Sequence, residues 1–136
     1  MDTSAFYAVL DADDDMHRSA WDVWADLLTR KVHFVTTNYV LLEITALLQS
    51  RMGLDAVRAF SSDILPILSI VWIDEAAHRS AYHALLVSGS RRLSLVDCVS
   101  FEVMRRLDLD TAFCFDPHFS IQGFSVVPES KKIEAP

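Results

Sequence analysis

Residues 91–106 read RRLSLVDCVSFEVMRR. Leu93, Leu95, Val96, Val99, Phe101, Val103 and Met104 make this one of the more apolar stretches of the chain, yet Asp97 sits in its middle. The spacing predicts a helix over 94–107. Ser94 followed three residues later by Asp97 matches a capping box, in which the hydroxyl and the acid each take one of the unpaired backbone N–H groups of the first turn. The elements on either side of this helix fix the fold class. Downstream, Ala112–Phe115 and Phe124–Val127 read as short buried strands. Upstream, 74–87 has helical periodicity and 68–73 is a strand rich in β-branched residues.

Helices are predicted over 3–10, 17–30, 38–52 and 54–65, with a short strand at 33–35. Thr36 and Thr37 cap the third of these helices and Gly53 closes it. Strands alternating with helices imply an α/β domain with a parallel sheet covered on both faces. In such folds ligands bind in the crevice beyond the carboxyl ends of the strands.

The totals agree with one such domain over 1–127, followed by a soft tail over 128–136. The chain has 136 residues, 51% of them hydrophobic, with three glycines and four prolines, which suits a single core and leaves no linker or repeat. Cys98 and Cys114 both lie in apolar runs, which predicts reduced thiols rather than a secreted disulfide framework. The longest apolar stretch, around Ile64 to Ile73, is broken by Pro66 and Ser69 and falls short of the roughly 20 residues that span a bilayer. No signal-peptide pattern opens the chain. A cytoplasmic protein with no membrane contact is therefore expected. The net charge of −7 opposes non-specific binding to a polyanion. A mean hydropathy of +0.24 is high for so small a core and points to a subunit or partner interface.

Four acids stand at informative places, and each has a structural explanation of its own. Asp97 can serve as the capping acid, where the helix dipole also favours it by about 0.3–1 kcal/mol. Asp116, in FCFDPHF, precedes a proline as a natural cap for a short helical turn. Asp2, in MDTSAF, can cap the first helix. Glu43, in TTNYVLLEITALL, lies past its first turn, where the alternative is a solvated helix face. The set is more informative than its members, because all four can reach one end of the sheet.

Taken together, DTSAF at Asp2, VLLE followed by Ile44 to Leu48, SLVDCVSFEVM around Asp97, and FDPHF followed by QGF resemble the four signature segments of PIN-domain ribonucleases, in particular VapC-type toxins of toxin–antitoxin pairs. The resemblance covers nearly the whole chain in order. It implies a three-layer α/β/α fold with a central parallel sheet of about five short strands. The first of these is truncated here, because its acid is residue 2. The resemblance also implies that Asp2, Glu43, Asp97 and Asp116 form a catalytic, metal-binding quartet, and that Ser4 supplies the hydroxyl two places after the first acid, at the substrate. Two unit charges about 4 Å apart repel by about 4 kcal/mol at an effective dielectric near 20, so such a cluster needs a cation. Oxygen donors without a paired Cys/His set suit Mg²⁺ or Mn²⁺ rather than zinc.

The expected activity is thus metal-dependent hydrolysis of RNA phosphodiester bonds. Arg91 and Arg92, just before the Asp97 helix, are the candidate phosphate contacts, against a solvated loop as the alternative. His118 is a weaker candidate. The resemblance further implies an antitoxin partner that blocks the site, and a homodimer. Two other readings fit parts of the pattern. One is a degenerate PIN fold that only binds a partner. The other is a receiver-like phosphoacceptor domain, with Asp74 ending a strand and Lys131 or Lys132 nearby, which leaves Glu43 and Asp97 unexplained.

Overall fold

The structure, a computed structural model, describes residues 1–129; most of the tail, with Lys131 and Lys132, lies outside the described residues. The helices are α1 (Thr3–Leu10), α2 (His17–Thr29), α3 (Asn38–Arg51), α4 (Leu54–Ala59), α5 (Glu75–Ser88), α6 (Leu95–Arg106) and α7 (His118–Ile121). The strands are β1 (Phe34–Thr37), β2 (Leu68–Val71), β3 (Thr111–Phe113) and β4 (Ser125–Val127).

β1 pairs with β2 in parallel, from Phe34 opposite Leu68 to Thr37 opposite Val71. β3 pairs with β4 in parallel, from Thr111 opposite Ser125 to Phe113 opposite Val127. Met1 and Asp2 run between the two pairs. The α-amino group of Met1 donates to the Val35 carbonyl at 2.8 Å, and Thr36 Oγ1 donates to the Met1 carbonyl at 2.9 Å. The Asp2 N–H donates to the Phe113 carbonyl at 3.0 Å. The sheet expected as one of about five strands is thus seen as two half-sheets, each of two strands, tied together through Met1 and Asp2.

Successive strand residues face opposite sides, and β3 shows the consequence. Phe113 joins a core with Phe6, Trp24, Phe34, Val40, Ile44 and Leu48. Its neighbours Ala112 and Cys114 join Phe101, Met104 and Phe119 on the other side. Helices α1, α2 and α3 pack together, as do α5 and α6, so β3 lies between two layers. Ile44 and Leu48, fully buried one turn apart on α3, are positions where truncation to Ala costs about 2–5 kcal/mol.

The predicted helix over 54–65 stops early. α4 ends at Ala59, a wide π-turn follows over Phe60–Ile64, and a 3₁₀ turn spans Leu65–Ile67. Pro66 lacks an N–H and restricts the residue before it. The wider turn lets Leu65 donate to the Phe60 carbonyl while Phe60 and Ile64 both stay in the core. Gly53 turns the chain between α3 and α4 with a positive φ of 87°, a conformation that costs glycine little.

Candidate metal centre

Asp97 opens α6 and does what its sequence context predicts. Ser94 Oγ accepts the Asp97 N–H at 3.1 Å, and Asp97 Oδ2 accepts the Ser94 N–H at 3.1 Å. This capping box uses one carboxylate oxygen and fixes the side chain. The second oxygen remains for other work. Asp97 is also buried, 7% exposed, which a cap at a surface helix does not require.

Asp116 lies in the loop after β3. Its Oδ1 accepts the His118 N–H at 2.8 Å and lies 2.7 Å from His118 Nδ1. An ionised carboxylate can only accept, so in this contact Nδ1 is the donor. Donor atoms of Asp97, Asp116 and His118 all come within 4.8 Å of one another. Asp116 is not the N-cap predicted for it: Pro117 holds that place without a side-chain cap, and Asp116 instead closes a local turn through its bond to the His118 N–H.

Asp2 is buried at the start of α1. Its Oδ2 accepts the Ser4 hydroxyl at 2.8 Å and, at 3.4 Å, the Ser4 N–H. Ser4 Oγ in turn accepts the Phe115 N–H at 3.0 Å. One hydroxyl therefore connects the first acid to the residue preceding the last, so Ser4 positions the site from beneath. Thr3, next to Asp2, carries a buried hydroxyl without a hydrogen-bond partner among the described residues.

The electrostatics show that these groups share one environment. Burial pushes the Asp97 carboxyl up to about 6, and the charges of Asp116 and Asp2 raise it further against the opposing Ser94 hydrogen bonds. Burial also raises Asp2, opposed by its bonds to Ser4 and by the α-amino group. Cys114 is pushed up to about 12 by burial first and by the Asp2 and Asp116 charges, so it stays a protonated thiol. Both cysteines are free and buried.

Other predicted residues sit farther out. Glu43 is exposed on α3, its side chain makes no hydrogen bond among the described residues, and it is not one of the clustered donors. Arg91 and Arg92 are exposed in the loop before α6. Sequence reasoning gave His118 only a minor phosphate role; the signal for more was the i, i+2 spacing in DPH, where the proline-containing turn brings both side chains to one side.

Asp97, desolvated and facing the charges of Asp116 and Asp2, sits in an unfavourable cluster unless a cation lies among these carboxylates. The donor set, oxygens with one imidazole nitrogen, suits a divalent ion that accepts carboxylate and water ligands. The residues present therefore fit a divalent metal centre.

A family model for the PIN domain matches residues 1–124, and the chain belongs to the PIN-domain family. Two curated relatives, from Mycobacterium tuberculosis strains CDC 1551 / Oshkosh and ATCC 25618 / H37Rv, are both named 23S rRNA-specific endonuclease VapC20. Each is 33% identical over 131 residues, covering 95% of this chain and 98% of the relative. The crystal structure of Mycobacterium tuberculosis VapC20, described as a Sarcin-Ricin loop cleaving toxin, matches with a TM-score of 0.79 at 31% identity. That match covers 90% of this chain and 93% of the other. Among the described residues no helix is long and apolar enough to cross a membrane.

Proposed function

We propose that the chain is a divalent-metal-dependent endoribonuclease and the toxin of a type II toxin–antitoxin pair. The observation that carries this reading is the convergence of Asp97, Asp116 and His118 within 4.8 Å, with the charge of Asp2 acting on the same carboxyl.

In this reading Asp97, Asp116 and Asp2 hold Mg²⁺ or Mn²⁺, with His118 beside them. Such an ion, when bound, supplies charge neutralisation at the scissile phosphate and acidifies a water. The chain's own groups set the geometry. Ser94 fixes one oxygen of Asp97, Ser4 fixes Asp2, and His118 fixes Oδ1 of Asp116, so each acid presents its remaining oxygen without losing rotamer freedom at the moment of binding. Glu43, solvated on α3, acts through water. Arg91 and Arg92 meet the backbone of the substrate as exposed guanidinium groups, which an acidic protein needs if it is to hold RNA.

The substrate is RNA, and the names of the relatives make 23S rRNA the first to try. An antitoxin partner and a homodimer follow from the same kinship. Exposed Leu42, Trp72, Leu86 and Val87 provide apolar surface for such contacts.

The test is RNA cleavage with Mg²⁺ or Mn²⁺ by the chain and by Asp97→Asn. The proposal expects cleavage that EDTA abolishes and that the variant loses by at least about 100-fold. Equal rates for the two proteins, or cleavage in EDTA, reject it and leave a binding module.

A further inference from the structure

Five residues of α5, His78, Arg79, Tyr82, His83 and Leu86, line a surface concavity of about 340 Å³. An apolar cavity of about 150 Å³ holds a benzene molecule, so there is room here for a bicyclic ring. None of the five is acidic, which sets the patch apart on a chain of net charge −7. His78 and Tyr82, one helical turn apart, stack with 14° between their planes and 6.1 Å between their centroids. Tyr39 of α3 stands 5.8 Å from the His78 ring, and its hydroxyl shares a hydrogen bond with His78 Nδ1. The imidazole is thus held by α3, while Tyr82, 49% exposed, presents its ring to solvent.

These rings begin beside the acids. Tyr39 packs in one cluster with Ala81, Leu95 and Cys98, and Cys98 directly follows Asp97. Tyr39 also lies one turn ahead of Glu43 on α3. From there the ridge runs outward along α5 through His78 to Tyr82. Ring faces with cationic neighbours suit an unpaired nucleotide, because every base can stack on an aromatic side chain and phosphate pairs with guanidinium. Arg79 donates to Glu75 at 2.7 Å, but both side chains are 77% exposed, and an exposed pair of this kind contributes too little to hold the guanidinium against a phosphate. An apolar protein segment would find only one aliphatic side chain, Leu86, among the five.

We propose that this concavity is an RNA subsite apart from the metal centre, where one unpaired base of the substrate stacks on Tyr82 and Arg79 and His83 hold the phosphate beside it. The proposal rests on RNA being the substrate. It adds a preference for loops, whose bases can splay out, over paired RNA, whose bases are not available for stacking.

The test measures binding of a fluorescein-labelled RNA hairpin with an unpaired loop, and of a fully paired duplex, to full chains carrying Asp97→Asn so that the probe stays intact. Tyr82→Ala is expected to weaken hairpin binding by about tenfold or more, and Tyr82→Phe to keep it. Arg79→Ala should lower the slope of log affinity against log salt by about 0.7. Duplex binding should ignore Tyr82→Ala, and hairpin binding should ignore Trp21→Ala, which removes another exposed aromatic ring. In chains with Asp97 intact, Tyr82→Ala should raise KM for the hairpin by about tenfold and leave kcat alone. Hairpin binding indifferent to both Tyr82→Ala and Arg79→Ala overturns the subsite and leaves the nuclease reading standing. A parent that binds no RNA overturns both. A change in sedimentation mass with Tyr82→Ala assigns the face to a contact between subunits and overturns the subsite as well.

Discussion

Oδ1 of Asp116 receives two hydrogen bonds from the same residue, His118, one from its backbone N–H at 2.8 Å and one from Nδ1 at 2.7 Å. The pairing orients the carboxylate and places the ring beside the acid cluster. His118→Ala should therefore weaken Mn²⁺ binding by about 10–100-fold, the usual effect of removing a group that orients a metal ligand. Isothermal titration checks it. Unchanged binding would show that the ring only closes the turn.

Asp97→Asn separates stability from function. The amide oxygen can still accept the Ser94 N–H, so the capping box survives, while the desolvated charge disappears. In metal-free buffer at pH 8 the variant should melt about 2–4 °C higher than the parent, even though it has lost cleavage. A lower midpoint would mean that the cap, and not a charge cluster, determines the residue.

The stability of the metal-free chain should fall as pH rises through the range of these acids. Asp97 goes from 3.8 to about 6 on folding, and Asp2 shifts in the same direction. A carboxyl raised on folding binds its proton more tightly in the native state. Its contribution is complete below the unfolded value of 3.8 and is lost as pH rises through about 6. Urea midpoints at pH 5 and pH 7.5 check this, with the higher midpoint expected at pH 5. Saturating Mg²⁺ or Mn²⁺ at pH 7.5 should restore stability, by about 2.7 kcal/mol at 100 times the dissociation constant.

Ser4→Ala removes the hydroxyl that donates to Asp2 and accepts from Phe115. A buried carboxylate and a backbone N–H both lose a partner, which should cost about 1–3 kcal/mol of stability and lower metal affinity as well. Ser4→Thr keeps the hydroxyl and should recover most of both. Denaturant melts with metal titrations measure the two effects.

Much of this was legible in the sequence because local and global signals coincided. SLVD announces a capping box whether or not its acid binds metal, and the structure shows that the two readings were never exclusive: one oxygen of Asp97 caps, and the whole group is buried near Asp116. The β-branched 68–73 segment, the cap at Thr37 and the helical periodicity over 74–87 placed β2, α3 and α5 to within a residue or two. The helix over 54–65 misled because its hydrophobic spacing continues through Phe60 and Ile64, while Pro66 acts backwards on the last turn. His118 was undervalued because a lone histidine has no helical metal spacing, and the turn that gives it a role is set by Pro117. The relation between the half-sheets was not legible, since it depends on hydrogen bonds from Met1 and Asp2 to Val35 and Phe113, over 30 and 100 residues away.

The most direct measurement is Mn²⁺ binding at pH 7.5, by electron paramagnetic resonance of the free ion, to the chain and to Asp2→Asn, Asp97→Asn and Asp116→Asn. If these carboxylates share an ion, the parent binds Mn²⁺ and every one of the three substitutions weakens that binding by at least about tenfold, or about 1.4 kcal/mol. Binding that is indifferent to all three substitutions would mean that the acids are caps and turn residues, and that no common metal centre exists.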